Sequence, residues 1–473
     1  MSIKTIARRV LRRKLWWVKS AQEEMERQKY RRQLRKSALP KFSADRPNVV
    51  LFSVDSLAAR HLGCYGYDRP TAPHMDELAS SGVQFRQAIT QATWTKPALA
   101  SIHTGLYPSV HKADSAGEAG DRVDVKSANI LDPRFRTMAQ EFKDGGYATA
   151  GFTDGCYAHS FFGFGRGFDL YDNYAGSVKS CFARLLRWVL GGSGNPFFGY
   201  IHCWDCHFPY PDRPPYNRLF VTRRSNFVLD GSTRFGVNDG SHHLTTVENE
   251  FLRGIYDGCI RRVDDELGIF LDDLKQLGLL ENTILLVTGD HGEAFLEHGI
   301  IEHTECIYNE VLQVPLILSG HGMNLRKQIG AQVRSIDIMP TLLDLCGLKQ
   351  TSDINGVSLV PWIQGRREDH LTAVTETERR GGQRALLDGR YKLIQKMGEK
   401  RQELYDLLGD PWETKDLNVS LPELRGRMEA AFGSWEWQTE KLREQYWSDQ
   451  AGPERQEMNP EVVQRLKDFG YLE

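Results

Sequence analysis

Five short apolar runs, separated by helix-length segments, limit the fold of this chain more than any other feature. They read NVVLFSV (48–54), YATAGFT (147–153), FFGYIH (197–202), TILLVTG (283–289) and VPLILSG (314–320). A continuous run of this kind is typical of a strand buried on both faces of a parallel sheet. Between the runs lie helical stretches, among them TAPHMDELASSG (71–82), GCIRRVDDELGIFLDDLKQLG (258–278) and IDIMPTLLDLCG (336–347). Strands that alternate with helices predict an α/β fold around a mostly parallel sheet. Ligands of such sheets bind beyond the carboxyl ends of the strands, so chemistry is expected in the residues that follow each run.

The texture differs on either side of residues 43–365, which are expected to form the catalytic domain. In RALLDGRYKLIQK (384–396), Asp388-Gly389 separates two strand-like runs, a hairpin signal. A helical PELRGRMEAAFGSWEWQTEKL (422–442) follows, and residues 366–473 are expected to form a small antiparallel C-terminal subdomain. Residues 1–42 are crowded with Lys and Arg although the net charge is -2, so the body is acidic. Ile3, Ile6, Val10, Leu11, Leu15, Trp17 and Val18 recur at helical spacing, with basic residues between them. This basic amphipathic extension predicts a helix lying in an anionic membrane interface, with Trp16 and Trp17 near the headgroups. A solvated basic arm is the alternative, and the acidic body disfavours nucleic acid.

No apolar run reaches the roughly 20 residues of a membrane span, and no signal-peptide core follows the basic start. The expected location is therefore cytoplasmic, peripheral at most on the inner face of a membrane. The eight scattered cysteines suit a reducing compartment. Cys203 and Cys206 are the one close pair; lacking a second CxxC, they read as free thiols rather than a zinc or redox site.

Polar residues gather after the runs. Asp55 follows the first, Asp290 and His291 follow TILLVTG, and His202, Asp205 and His207 lie in HCWDCHFPY. His298 and His303 lie on the loop after Asp290. Singly, each has an ordinary reading as a turn former, a cap or a structural histidine. Together, at the strand ends, they can share one site. Two aspartates and an imidazole suit Mn2+ or Zn2+ better than Ca2+. Thr95, in TWTKPALASIHTG, reads first as the cap of a helix with Pro97 in its first turn. A helix N-terminus also attracts anions, which would place the Thr95 hydroxyl for covalent catalysis beside a cation.

The segments PNVVLFSVDSLAARHLGCYGYDRPTAPHMDELASSGVQF, TWTKPALASIHTGLYPSVHK, HCWDCHFPY, LLVTGDHGEAFLEHG, EVLQVPLIL, RSIDIMPTLLDLCGL and ELYDLLGDPWE resemble the alkaline phosphatase superfamily, in its sulfatase branch. The resemblance implies an αβα sandwich and one divalent metal held by Asp55, Asp290 and His291, with the Thr95 oxygen beside it. It also implies that His202, His207 and His303 touch the anionic group or protonate the leaving group. Thr95, His207 and His303 are the expected catalytic residues; His202, His298, Lys96 and His111 are expected to bind substrate. The chain departs from the sulfatase pattern at the motif CxPSR, where it reads Thr95-Lys96-Pro97-Ala98-Leu99. Threonine cannot become the formylglycine aldehyde, and a threonine sulfate ester lacks that group's hemiacetal exit. The favoured expectation is a phosphate mono- or diester hydrolase or transferase with a Thr nucleophile, acting on an anionic ester that is glycan- or lipid-linked in the membrane reading. The alternatives are a sulfatase acting on a sulfated glycan or aryl sulfate, and a degenerate, non-catalytic binding domain.

Overall fold

The computed structural model describes residues 21–34, 46–114, 127–448 and 452–468, apart from 22, 193, 212, 224, 226, 228, 230, 379 and 380. The elements that place the site, in chain order, begin with helix α1 (residues 23–34), strand β1 (Asn48–Val54), α2 (Pro73–Ser81), β2 (Val83–Ile89) and α3 (Thr95–Thr104). Next come β3 (Ala148–Thr153), β4 (Leu170–Asp172), α4 (Val178–Leu190), β5 (Phe197–Cys203) and α5 (Thr246–Gln276). Then follow β6 (Thr283–Gly289), β7 (Gln313–Gly320), β8 (Lys327–Arg334) and α6 (Ile338–Leu345). The C-terminal part holds β9 (Ala373–Thr377), β10 (Gln383–Leu387), β11 (Tyr391–Lys396), β12 (Arg401–Asp406) and α7 (Pro422–Tyr446).

The central sheet has eight strands in the order β8-β2-β7-β6-β1-β5-β3-β4. All are parallel except β7, which runs against both β2 and β6. The five apolar runs all became strands. Three further strands, β2, β4 and β8, lack a continuous apolar run: β2 reads VQFRQAI, with Arg86 exposed, and β8 reads KQIGAQVR. Alternate residues of β1 feed opposite faces. Val49 and Leu51 pack with Leu99, Leu342 and Met428 from α3, α6 and α7. Val50, Phe52 and Val54 pack with Tyr30, Leu78, Leu185 and Leu267 from α1, α2, α4 and α5. Helices on both faces explain why these strands carry so few polar residues.

β9 to β12 form an antiparallel sheet in sequence order. The Asp388-Gly389 signal is the β10–β11 hairpin: the Asp388 carboxylate accepts from the backbone N–H of Tyr391 at 2.8 Å, and Gly389 has a φ of 94°. This sheet is tied to the main one where the Glu376 N–H donates to the Gln91 carbonyl at 3.0 Å. Helix α5 starts a dozen residues before the expected stretch. A capping box at Thr245 and Glu248 sets that start, and the apolar face before residue 258 is interrupted by charged residues.

Residues 23–34, inside the stretch expected as a basic extension, pack on the body as α1. Glu23 binds Arg213 at 2.7 Å and Arg262 at 3.3 Å, and Arg262 in turn binds Asp205. Burial alone would push the Glu23 carboxyl up; the two arginines outweigh it and hold the group below its ordinary value. Lys179–Glu24 and Arg187–Glu26, both at 2.6 Å, fasten the same helix. Residues 1–20, on which the membrane-interface reading rests, lie outside the described residues. No helix among the described residues is long and apolar enough to cross a membrane.

Tyr30 anchors α1. It is 1% exposed, and its hydroxyl has no hydrogen-bond partner among the described residues. Tyr30→Ala is therefore expected to cost about 3 kcal/mol in denaturant unfolding. Tyr30→Phe removes only an unsatisfied buried hydroxyl and should leave stability equal or higher. Equal destabilisation by the two substitutions would contradict this packing.

Candidate active site

Register brings the first two site residues together. Val54 of β1 pairs with Gly289 of β6, so Asp55 and Asp290 leave the sheet side by side. A side chain at Gly289 would put a Cβ 2.5 Å from the Leu57 carbonyl oxygen, so only glycine lets the chain after β1 pass this close. Asp290 Oδ1 accepts backbone N–H bonds from His291 at 2.8 Å and Ser56 at 3.1 Å. Its other oxygen, Oδ2, is fully buried with no hydrogen-bond partner. His291 donates Nδ1–H to the Gly292 carbonyl at 3.0 Å. That places a proton on Nδ1 and turns Nε2 to the carboxylates, 3.5 Å from Asp290 Oδ2 and 3.4 Å from Asp55 Oδ1.

These donors fit a cation. One ligand atom from each of Asp55, Asp290 and His291 lies within 4.8 Å of the others, and all three residues are buried. Burial and the neighbouring Asp55 push the Asp290 carboxyl up to about 6. Burial also opposes ionisation of Asp55, but His207, His202 and His291 outweigh it and hold that carboxyl well below the usual range. A divalent ion held by Asp55, Asp290 and His291 would offset the repulsion between the two carboxylates and give Asp290 Oδ2 a partner. A second grouping, His74, Asp264 and Asp265, is already committed. Asp264 accepts from the backbone of His74 and Met75, and Asp265 binds Arg261 and Tyr216.

Thr95 is not the cap of its helix. The N-cap is Trp94, with no side-chain cap bond, and Thr95 is the first helical residue. Its hydroxyl instead lies 3.3 Å from Asp55 Oδ2 and 3.4 Å from His291 Nε2. The N-terminal end of α3 thus meets the cluster of metal donors. Ala98 and Leu99 are fully buried, and Leu99 belongs to the core beneath the sheet. Lys96 is buried too; it lies between the rings of Trp94 and Phe162 and donates to the Asn129 carbonyl at 3.1 Å.

Three more histidines join the cluster. His202 Nε2 lies 3.5 Å from Asp55 Oδ2, and its Nδ1 is 3.1 Å from Ser53 Oγ. The His303 ring centroid is 4.1 Å from that of His291 and 5.0 Å from that of His207. His207 donates Nδ1–H to the Phe208 carbonyl, and burial pushes its imidazole down to about 4, which keeps it neutral at pH 7. His303 Nδ1 is bound at 2.7 Å to Glu293 Oε2, and the Tyr210 hydroxyl donates at 2.6 Å to Glu293 Oε1. Glu293 and Tyr210 were missed in the sequence, although both lie in quoted motifs, DHGE and HCWDCHFPY.

Two expected substrate-binding residues lie elsewhere. His298 uses both ring nitrogens, on Glu310 at 2.7 Å and on the Glu413 carbonyl at 3.2 Å, and stacks on Tyr308. His111 is fully buried between Ser101 Oγ at 3.1 Å and the Ala113 N–H at 3.0 Å. Asp205 serves α4 and the α1 network, accepting from the Val178 N–H at 2.8 Å. Cys203 and Cys206 are buried free thiols, and burial pushes both well above the ordinary thiol range.

With the sheet, the strand-end cluster and the C-terminal subdomain in view, comparison with known proteins is direct. The family profile described as Sulfatase matches residues 47–348, and one described as N-sulphoglucosamine sulphohydrolase, C-terminal, matches residues 296–424. The chain belongs to the sulfatase family, whose members are hydrolases of the alkaline phosphatase superfamily. It is 23% identical over 484 residues to the uncharacterized sulfatase YidJ of Escherichia coli (strain K12), covering 86% of this chain and 89% of that protein. It is 25% identical over 412 residues to the multifunctional alkaline phosphatase superfamily protein PehA of Trinickia caryophylli, covering 69% and 79%. The phosphonate monoester hydrolase of Agrobacterium radiobacter shares the fold, with a TM-score of 0.69, 22% identity and coverage of 85% and 96%.

If Asp55, Asp290 and His291 hold the ion, Mn2+ or Zn2+ at a hundredfold excess over its dissociation constant adds about 2.7 kcal/mol of stability. Asp290→Asn should lose this gain and its bound metal, read by thermal unfolding with and without chelator and by elemental analysis. Undiminished metal content in the variant would contradict the assignment.

Proposed function

We propose that the protein is a metal-dependent phosphoester hydrolase or phosphotransferase in which Thr95 is the nucleophile. The observation that carries the reading is the placement of the Thr95 hydroxyl, at a helix N-terminus and within 3.4 Å of both Asp55 and His291. When bound, the ion would act as a Lewis acid on this hydroxyl and on an ester oxygen, and the two carboxylates plus imidazole favour Mn2+ or Zn2+ over Ca2+. The Thr95 oxygen attacks phosphorus as its proton passes to water. The bond from phosphorus to the leaving oxygen breaks, the electron pair stays on that oxygen, and His303 supplies its proton. Water then attacks the phosphothreonine and gives a proton to His303. The bond to Thr95 breaks, and Thr95 regains a proton. Ester and water become alcohol and phosphate; an alcohol in place of water gives transfer.

His303 suits the acid role better than His207. The Glu293 carboxyl, bound to Nδ1, orients the His303 ring, whereas burial holds His207 neutral. His202, against Asp55, is placed to steady the anion. A sulfate ester is the second reading, favoured by the profile match to an N-sulphoglucosamine sulphohydrolase. A non-catalytic role is disfavoured because Thr95 and the three metal donors form a complete cluster.

Purified protein with Mn2+ or Zn2+ is expected to turn over 4-nitrophenyl phosphate or its phosphodiester faster than 4-nitrophenyl sulfate. Thr95→Ala should lower kcat by about a thousandfold or more while the melting temperature holds, because Thr95 makes no cap bond. Activity within a few-fold of wild type would remove Thr95 as nucleophile and favour attack by water.

His303→Asn should cost far more on an alkyl ester than on a nitrophenyl ester, because an alkoxide needs a proton to leave. The expected gap is about a hundredfold. Equal losses on the two esters would assign His303 to anion binding instead.

A further inference from the structure

Glu293 is completely buried beside Glu302, which Arg234 binds at 2.9 Å. Both Glu293 oxygens are given to side chains of the catalytic region: Oε2 to His303 Nδ1 and Oε1 to the Tyr210 hydroxyl. The stem of Glu293 is fixed as well, since its N–H donates to the Glu310 carbonyl at 3.1 Å. Tyr210 is held by an aromatic wall of Phe208, Tyr256 and Phe295, at centroid separations of 6.1, 5.7 and 6.3 Å. Its hydroxyl therefore reaches Glu293 from a ring that packing has already oriented.

We infer that Tyr210 is a positioning residue for the leaving-group step, acting through Glu293 to hold His303 in one ring direction and one tautomer. The inference rests on the acid role given to His303 above. A carboxylate bound at one oxygen only can turn about its last torsion, which is broad and roughly two-fold. With the Tyr210 hydroxyl donating to Oε1, Oε2 stays on His303 Nδ1, which directs the other ring nitrogen, Nε2, to the reaction. An imidazole free of this clamp divides its time between orientations, and only one of them delivers the proton. The cost falls on substrates whose leaving oxygen needs that proton.

Tyr210→Phe keeps the ring packing and removes one hydroxyl, so it tests the inference cleanly. The esters are the alkyl and 4-nitrophenyl pair, phosphate or sulfate, that the wild type hydrolyses, so failure of the phosphate reading leaves the test intact. Expected is a loss in kcat of about tenfold or more on the alkyl ester and under about threefold on the nitrophenyl ester, with KM, metal content and melting temperature held. Combined with His303→Asn, the substitution should cost nothing further, because its route to the reaction is already gone. Equal losses on the two esters, or losses that add to those of His303→Asn, would overturn the inference and leave Tyr210 a packing residue. If His303→Asn alone shows no difference between the esters, the acid role itself has failed and the inference falls with it.

Discussion

Two carboxylates buried side by side are the constraint on which this active site depends. Parallel register carries Asp55 and Asp290 out of adjacent strands together, and both are buried. Two like charges in a dry site repel, and the structure answers with hydrogen bonds and imidazoles. One Asp290 oxygen takes two backbone N–H groups, and three histidines surround Asp55. What remains unanswered is Asp290 Oδ2, with no hydrogen-bond partner. A cation held between the two carboxylates would resolve that arrangement.

The nucleophile assignment follows from where α3 begins. Trp94 takes the cap position, so the Thr95 side chain is released from backbone duty and turns to Asp55 and His291. The family's arginine position is Leu99, which is spent on the core. In the proposed reaction, anion recognition would fall to the histidines and the helix terminus. A phosphorylated threonine is a simple ester that water can cleave, whereas a sulfated threonine has no aldehyde chemistry to release it. In the proposed reading, Thr95 and Leu99 at these two positions would both favour a phosphate ester over a sulfate ester.

Much of the fold was legible because the five strands at its centre are buried on both faces and so carry continuous apolar runs. β2 and β8 were not legible: their polar residues alternate with apolar ones, and β8 lies at the sheet edge. Asp55, Asp290, His291 and Thr95 stood out because they follow strands or open a helix. His298 and His111 were indistinguishable in sequence from the clustered histidines, since only long-range partners such as Glu310 and Ser101 separate them. Glu293 and Tyr210 gave no signal of their own, because a carboxyl that supports a histidine looks like any other acidic residue until both ends of the contact are placed. The docking of α1 was likewise hidden: its anchors, Arg213 and Arg262, lie far along the chain.

The central claim is that Thr95 forms the covalent bond to phosphorus. Rapid acid quench of the metal-loaded protein during turnover of a nitrophenyl phosphate, followed by peptide mass spectrometry, tests it most directly. The account predicts a phosphate on Thr95 in the tryptic peptide spanning residues 87–112, at a level that falls as substrate is exhausted. A protein that turns over the ester while that peptide stays unmodified at every quench time would contradict it.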